Sequence, residues 1–233
     1  MPDAAPDAAP DAAPPDAAPP AAPPARPSRK QPRLARRAQL VEATIRVLAR
    51  QGYARTTLAE VAREAGLSHG LANFHFRSKE GLLAETLRTL WDEYQAHLAR
   101  ALLAAPPDPA ARLDALIRAD FDPTVSSPER LAAWFCFWGE SQGRPLYQAH
   151  LGPNDEPLIA QFESACAAVA RAGGYPHDPA RVAEVLRVLS DGVWLDLTTS
   201  SRPGTLEDGL ATVFLCASAF FPRHFDEGGW LGR

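Results

Sequence analysis

The stretch Thr56–Leu83 reads TTLAEVAREAGLSHGLANFHFRSKEGLL, and it decides the fold. Thr57 followed three residues later by Glu60 is a capping box: the hydroxyl takes an orphan backbone N–H and the Glu side chain reaches back to the cap amide. The helix it opens, LAEVAREA, stops at Gly66, which permits a sharp turn. Ser68 caps a second short helix, HGLANFHF, and Ser78 caps a longer one that runs to the Pro106-Pro107 break. Two short helices across Ala65-Gly66-Leu67 have the geometry of a helix-turn-helix, whose second helix can enter a major groove. Ala62 is small where the two helices approach. Leu58, Val61, Leu67 and Leu71 are expected to pack between them, and Phe74 and Phe76 are read as core.

Working outward, helical periodicity begins near Arg33 with a stripe through Leu40, Ile45 and Leu48 that ends at Gly52. Beyond the proline break, helices are expected at about residues 108–121, 128–143, 155–172, 179–200 and 206–221. Pro145, Pro153 and Pro157 predict a kinked or broken connection over 144–156. No alternating strand text is found, so the chain reads as all-α. The last two helices carry wide apolar faces, which suit either an intramolecular core or a four-helix dimer interface. Residues 1–25 repeat Asp-Ala-Ala-Pro with almost nothing to bury, as in a disordered tail.

The net charge of −4 hides an asymmetry. Residues 1–25 carry four Asp and no base, whereas residues 26–89 carry thirteen Lys/Arg against five Glu, or +8. Residues 90–233 carry eleven Arg against nineteen acids, or −8. Basic text is confined to one segment, including Arg26, Arg29, Lys30, Arg33, Arg36 and Arg37, as a polyanion partner requires. No uncharged apolar run long enough for a membrane span exists, and no secretory signal is read at the N-terminus. The three cysteines, Cys136, Cys166 and Cys216, lack metal-ligand spacing and read as reduced core thiols of a cytoplasmic protein.

The run Phe74-His75-Phe76-Arg77-Ser78-Lys79-Glu80-Gly81-Leu82-Leu83 carries a resemblance. Residues 36–90 are similar to the DNA-binding domain of the TetR family of bacterial repressors, with Asn73 where that family often has Tyr. The resemblance implies a homodimer presenting two recognition helices to a pseudo-palindromic double-stranded operator. It implies DNA contacts from Thr57, Ser68, His69, His75 and Lys79, and the basic run adds Arg36; the alternatives are a solvated His69, a packing His75 and a merely exposed Lys79. Asn73 either reads adenine or is a solvated helix residue; Thr57 can serve as cap, phosphate clamp or both.

Farther along, Phe121-Asp122, Val125-Ser126-Ser127, Ala133-Trp134, Phe137-Trp138, Pro145-Leu146-Tyr147 and Asp191-Gly192-Val193-Trp194 resemble the choline-responsive, BetI-type members of that family. A quaternary ammonium has no N–H donors, so π faces and a nearby carboxylate must hold it. Leu131, Trp134, Phe135 and Trp138 share one helical face, Trp194 follows Asp191 by about one turn, and Trp91 and Tyr94 lie on the fourth helix. The expected ligand set is Trp91, Phe121, Asp122, Trp134, Trp138, Asp191 and Trp194, with Asp191 or Asp122 as countercharge and Glu140 off the line. Core packing is the alternative for each aromatic residue.

The chain therefore divides, by expectation, into a tail with a basic arm (1–32), a helix-turn-helix domain (33–90), a helical ligand-binding and dimerisation domain (91–222) and a C-terminal tail (223–233). It reads as a choline-sensing repressor or as a TetR-type regulator of an unrelated hydrophobic or cationic effector. An enzyme is disfavoured: there is no nucleophile elbow, Gly-rich phosphate loop or metal spacing, the six histidines are scattered, and no cofactor is expected. A sequence-indifferent architectural DNA binder is a third class, distinguished by its lack of response to any ligand.

Overall fold

Side-chain caps set the helix boundaries. In the computed structural model, which describes residues 33–141 and 155–232, α1 spans Arg33–Arg55 and leaves helical geometry at Gly52, with φ 77°. The Thr57, Ser68 and Ser78 hydroxyls accept the N–H groups of Glu60, Leu71 and Gly81 at 3.2, 3.2 and 3.1 Å. They open α2 (Leu58–Glu64), α3 (His69–His75) and α4 (Lys79–Ala104). Gly66, at φ 66°, makes the turn between α2 and α3 in a conformation that costs a side chain dearly.

The remaining helices are α5 (Pro109–Asp120), the single turn α6 (Pro123–Ser126), α7 (Pro128–Ser141), α8 (Asp155–Gly173), α9 (Pro179–Thr199) and α10 (Leu206–Phe220). Asp108 and Asp178 cap α5 and α9 immediately before a proline, which lacks the N–H that would otherwise be orphaned there.

Two hydrophobic cores organise these helices. The smaller lies within the helix-turn-helix, where Leu40, Val41 and Val47 of α1 meet Val61, Ala62, Ala72, Phe76 and Leu82. The larger takes Ile45 and Leu48 from the same α1, then Leu83, Leu87, Leu90 and Tyr94 from α4, and the apolar faces of α5 and α7 to α10. Both α1 and α4 thus bury one face in each core. Close approach of α9 and α10 depends on Gly209, where a Cβ would come within 2.7 Å of Val193 Cγ1.

Several expectations need correcting. The Thr57 capping box is half formed, because the Glu60 carboxylate pairs with Arg63; the reciprocal box occurs instead at Thr205 and Asp208. The α6 turn escaped the periodicity because four residues are too few to show one. The C-terminal segment carries a two-stranded ribbon, Phe225–Asp226 against Gly229–Trp230. Its strands are too short to alternate, and it is anchored on α5 by Trp230 N–H donating to Asp114 Oδ1 at 2.9 Å. Phe74 is 69% exposed, whereas Phe76 is 3% exposed, so only the second is core. Leu71 is half-buried. The 1–25 repeat, Arg26, Arg29, Lys30, most of the 144–156 connection, the Pro145-Leu146-Tyr147 motif and the Glu140 side chain lie outside the described residues.

Candidate functional site

The α3 surface comes first. His69, Gly70, Asn73 and Phe74 are exposed along one side of the helix, while Ala72, His75 and Phe76 face inward. Asn73 Nδ2 lies 3.3 Å from His69 Nε2, so these two polar side chains form a pair across one turn. Thr57 and Ser68 are exposed at their helix N-termini with their hydroxyls already engaged as caps. Arg36 is half-buried and donates to Gln39 Oε1 at 2.9 Å.

Two expected phosphate contacts sit elsewhere than the exposed face. The His75 ring is 8% exposed, and its Nδ1 is buried with no hydrogen-bond partner among the described residues. Burial, followed by the Arg33, Arg37 and Arg36 guanidinium charges, holds it below the usual histidine range. A neutral packing imidazole results. Lys79 donates from Nζ to the Tyr53 and Ala54 carbonyls at 2.7 and 3.2 Å, and it lies 4.8 Å from the Tyr53 ring centroid. Its ammonium satisfies carbonyls left orphaned at the end of α1.

The second site is a cavity of about 580 Å³ between α4, α7, α8 and α9, within the roughly 300–1,000 Å³ of small-molecule sites. Five of the seven expected ligand residues line it: Trp91, Trp134, Trp138, Asp191 and Trp194. Trp138 and Trp194 stack with centroids 6.3 Å apart and planes at 13°. Trp134 lies 6.2 Å from Trp138, and Tyr94 meets Trp194 edge-on at 6.3 Å. Three helices thereby turn aromatic groups toward one space, the arrangement that holds a cation lacking N–H donors.

The cavity also holds a buried acid, Asp120, which sequence reasoning passed over for Asp191, which lines the cavity, and Asp122, which does not. Asp120 is 4% exposed and lines the cavity. Its Oδ1 accepts the Tyr94 hydroxyl at 2.6 Å, and its backbone oxygen accepts the Trp194 indole N–H at 3.1 Å. Burial pushes its carboxyl up to about 7, against the Tyr94 hydrogen bond and with the help of Asp191. Burial and the Asp120 charge likewise raise Tyr94 well above the usual phenol range.

Phe121 and Asp122 stand outside this cavity. Phe121 is buried and lies against Gly209. Asp122 caps α6, accepting the Thr124 N–H and hydroxyl at 2.8 and 2.6 Å, and its Oδ2 lies 3.7 Å from His97 Nε2. The signal for Asp120 was present: Leu113, Leu116 and Ile117 form the buried stripe of α5, and Asp120 continues it by helical spacing. An acid on an apolar stripe marks a buried charge. At the rim, Arg187 Nη1 lies 3.6 Å from Asp191 Oδ2. Among the described residues, no group of His, Cys, Asp and Glu could hold a metal ion.

Comparison with known proteins places the chain among bacterial transcriptional regulators. The signature of bacterial regulatory proteins of the tetR family matches residues 40–86, and that of the BetI-type transcriptional repressor C-terminal domain matches residues 109–215. A relative named HTH-type transcriptional regulator BetI, from Burkholderia thailandensis, is 37% identical over 163 residues, covering 69% of this chain and 80% of its own. Its namesake from Paraburkholderia xenovorans is 36% identical over 180 residues, covering 76% and 89%. Among solved structures, a putative transcriptional regulator from Pseudomonas aeruginosa PAO1 superposes with a TM-score of 0.70 at 27% identity, over 83% of this chain and 93% of its own. One from Saccharomonospora viridis, solved in complex with choline, shares the fold with a TM-score of 0.68 at 21% identity, over 82% and 98%.

Proposed function

This chain belongs to the TetR family of bacterial regulatory proteins, with a BetI-type repressor C-terminal domain, and we propose that its effector is choline or a closely related quaternary ammonium compound. The observation that carries this assignment is the cavity itself: the stacked Trp138 and Trp194, with Trp134 and Tyr94 beside them, over the buried Asp120 carboxyl. A trimethylammonium group gives up its hydration shell on entering such a box. It recovers the loss from π faces and a carboxylate that water no longer screens. A neutral apolar effector would bring no charge to set against the buried Asp120 carboxyl.

The rest of the machine follows. Residues 33–90 bind operator DNA through α3, while residues 91–222 hold the effector and the second copy. Val188 and Leu195 on α9 and Leu215 on α10 stand exposed, and they supply the apolar face for dimerisation. Effector binding favours a separation of the two recognition helices that the operator does not fit, which weakens DNA binding. The protein acts in the cytoplasm, where its DNA lies, and catalyses no reaction. No helix among the described residues is long and apolar enough to cross a membrane.

The test is a titration of choline against intrinsic tryptophan fluorescence, repeated with Trp138→Leu. Choline is expected to perturb the wild-type emission saturably and the variant only at much higher concentration. An emission unmoved by choline, betaine aldehyde or other quaternary amines would remove this effector class.

A further inference from the structure

Phe74 has no role in the scheme above, yet it is the most conspicuous side chain on the DNA-facing helix. Its ring is 69% exposed on a seven-residue helix that buries Ala72 and is followed by the buried Phe76. One turn earlier on the same side stands Gly70, where an added Cβ would meet nothing within 4 Å. The glycine leaves the surface beside the ring open, so anything docking against α3 reaches the ring unobstructed.

What covers Phe74 is indicated by its surroundings. The Arg33 guanidinium carbon lies 5.9 Å from the ring centroid. Arg37 lies 4.3 Å from the neighbouring Phe76 ring and donates to the His75 carbonyl at 2.8 Å. An exposed apolar ring with the Arg33 guanidinium over it, on a helix that follows a basic segment, fits a polyanion that also offers an apolar spot. On the base edges of the major groove, that spot is the thymine C5-methyl group. The polar pair His69–Asn73 lies beside it on the exposed side, suited to hydrogen-bonding base edges.

We propose that Phe74 reads a thymine C5-methyl group in each operator half-site, adding an apolar contact to the polar readout from the rest of α3. The inference rests on α3 entering the major groove, as the repressor function requires.

The test uses the full chain and an operator selected from random duplex DNA. Each thymine of both half-sites is replaced in turn by deoxyuridine, which removes only the methyl group. One position per half-site is expected to weaken wild-type binding roughly fourfold per methyl. Phe74→Ala is expected to bind the thymine and uracil operators equally, and Phe74→Leu to retain part of the discrimination. Because the ring is exposed, neither variant should disturb folding, and circular dichroism checks this. A Phe74→Ala protein with wild-type methyl sensitivity overturns the inference and assigns the ring to phosphate approach or to contact with this chain's own basic arm. So does a selected operator in which no thymine methyl matters. Failure to select any sequence is a different result, which rejects the repressor function itself.

Discussion

Tyr94 on α4 donates its hydroxyl to Asp120 at the end of α5 over 2.6 Å, at a point where both residues are buried. The same Asp120 fixes the Trp194 indole through its backbone oxygen. One acidic residue therefore positions aromatic walls from two other helices and holds a titratable carboxyl beneath them. That arrangement is costly without a cation and useful with one, and the first two predictions follow from it.

Asp120→Asn should stabilise the unliganded protein at alkaline pH. The folded carboxyl titrates at about 7, above its ordinary 3.8, so the native state favours the protonated form. Below pH 4 the group is neutral in both states and contributes nothing. Its destabilisation grows as pH rises through this window and is complete above 7. The full effect is on the order of 4 kcal/mol. Asn retains an acceptor for Tyr94 and removes the charge. Denaturant unfolding at pH 5 and pH 8 checks this, with the variant expected to gain over wild type mainly at pH 8.

Choline binding should tighten with pH and release a proton. A bound cation favours ionised Asp120, so affinity is expected to rise about tenfold between pH 6 and 8 for a group titrating near 7. Asp191 and Arg187 also line the cavity and Tyr94 bonds the carboxyl; burial keeps the Tyr94 phenol neutral in that range. Calorimetry at pH 6.5 in buffers of different ionisation enthalpy measures the released proton. Asp120→Asn should abolish the release, and a pH-independent affinity would show that Asp120 is not the countercharge.

Trp194→Leu should discriminate charge from shape. The variant removes one member of the Trp138–Trp194 stack, and a desolvated cation–π contact is worth about 2 kcal/mol. Choline affinity is expected to fall roughly thirtyfold. Affinity for 3,3-dimethylbutan-1-ol, its uncharged isostere, should be weak in both proteins and change far less.

Arg130 should couple the cavity to the DNA-binding helices. It lies one turn before Trp134 on α7, with Nη1 2.8 Å from Glu93 of α4 and Nη2 3.3 Å from Glu42 of α1. Glu93 in turn lies between the cavity residues Trp91 and Tyr94. Arg130→Ala is expected to leave choline affinity within about threefold of wild type and to shrink the ligand's effect on operator affinity, a coupling typically worth 5–150-fold. An unchanged coupling would place the transmission elsewhere.

Much of this was legible in the sequence. The Thr57, Ser68 and Ser78 caps, the break at Gly52 and the turn at Gly66 are local signals, so the helix-turn-helix could be read residue by residue. The Trp91, Trp134, Trp138 and Trp194 wall was legible because bulky aromatics at helical spacing are conspicuous. What failed was non-local. Asp120 and Asp122 are equally acidic and two residues apart; the α5 stripe that runs on to Asp120 separates them, but which cavity that stripe meets is set by tertiary packing. Phe74 was read as core together with Phe76, yet two residues along a helix turn by about 200°, enough to put one ring outside. Lys79 pairs with carbonyls more than twenty residues away, a contact that no spacing rule anticipates.

The central claim is that a quaternary cation in the aromatic cavity controls operator binding, and fluorescence anisotropy of a labelled operator at pH 8 tests it directly. Saturating choline is expected to weaken wild-type binding at least about fivefold, while equal concentrations of 3,3-dimethylbutan-1-ol leave it unchanged. Operator affinity that is indifferent to choline, or that responds equally to the uncharged isostere, would contradict it.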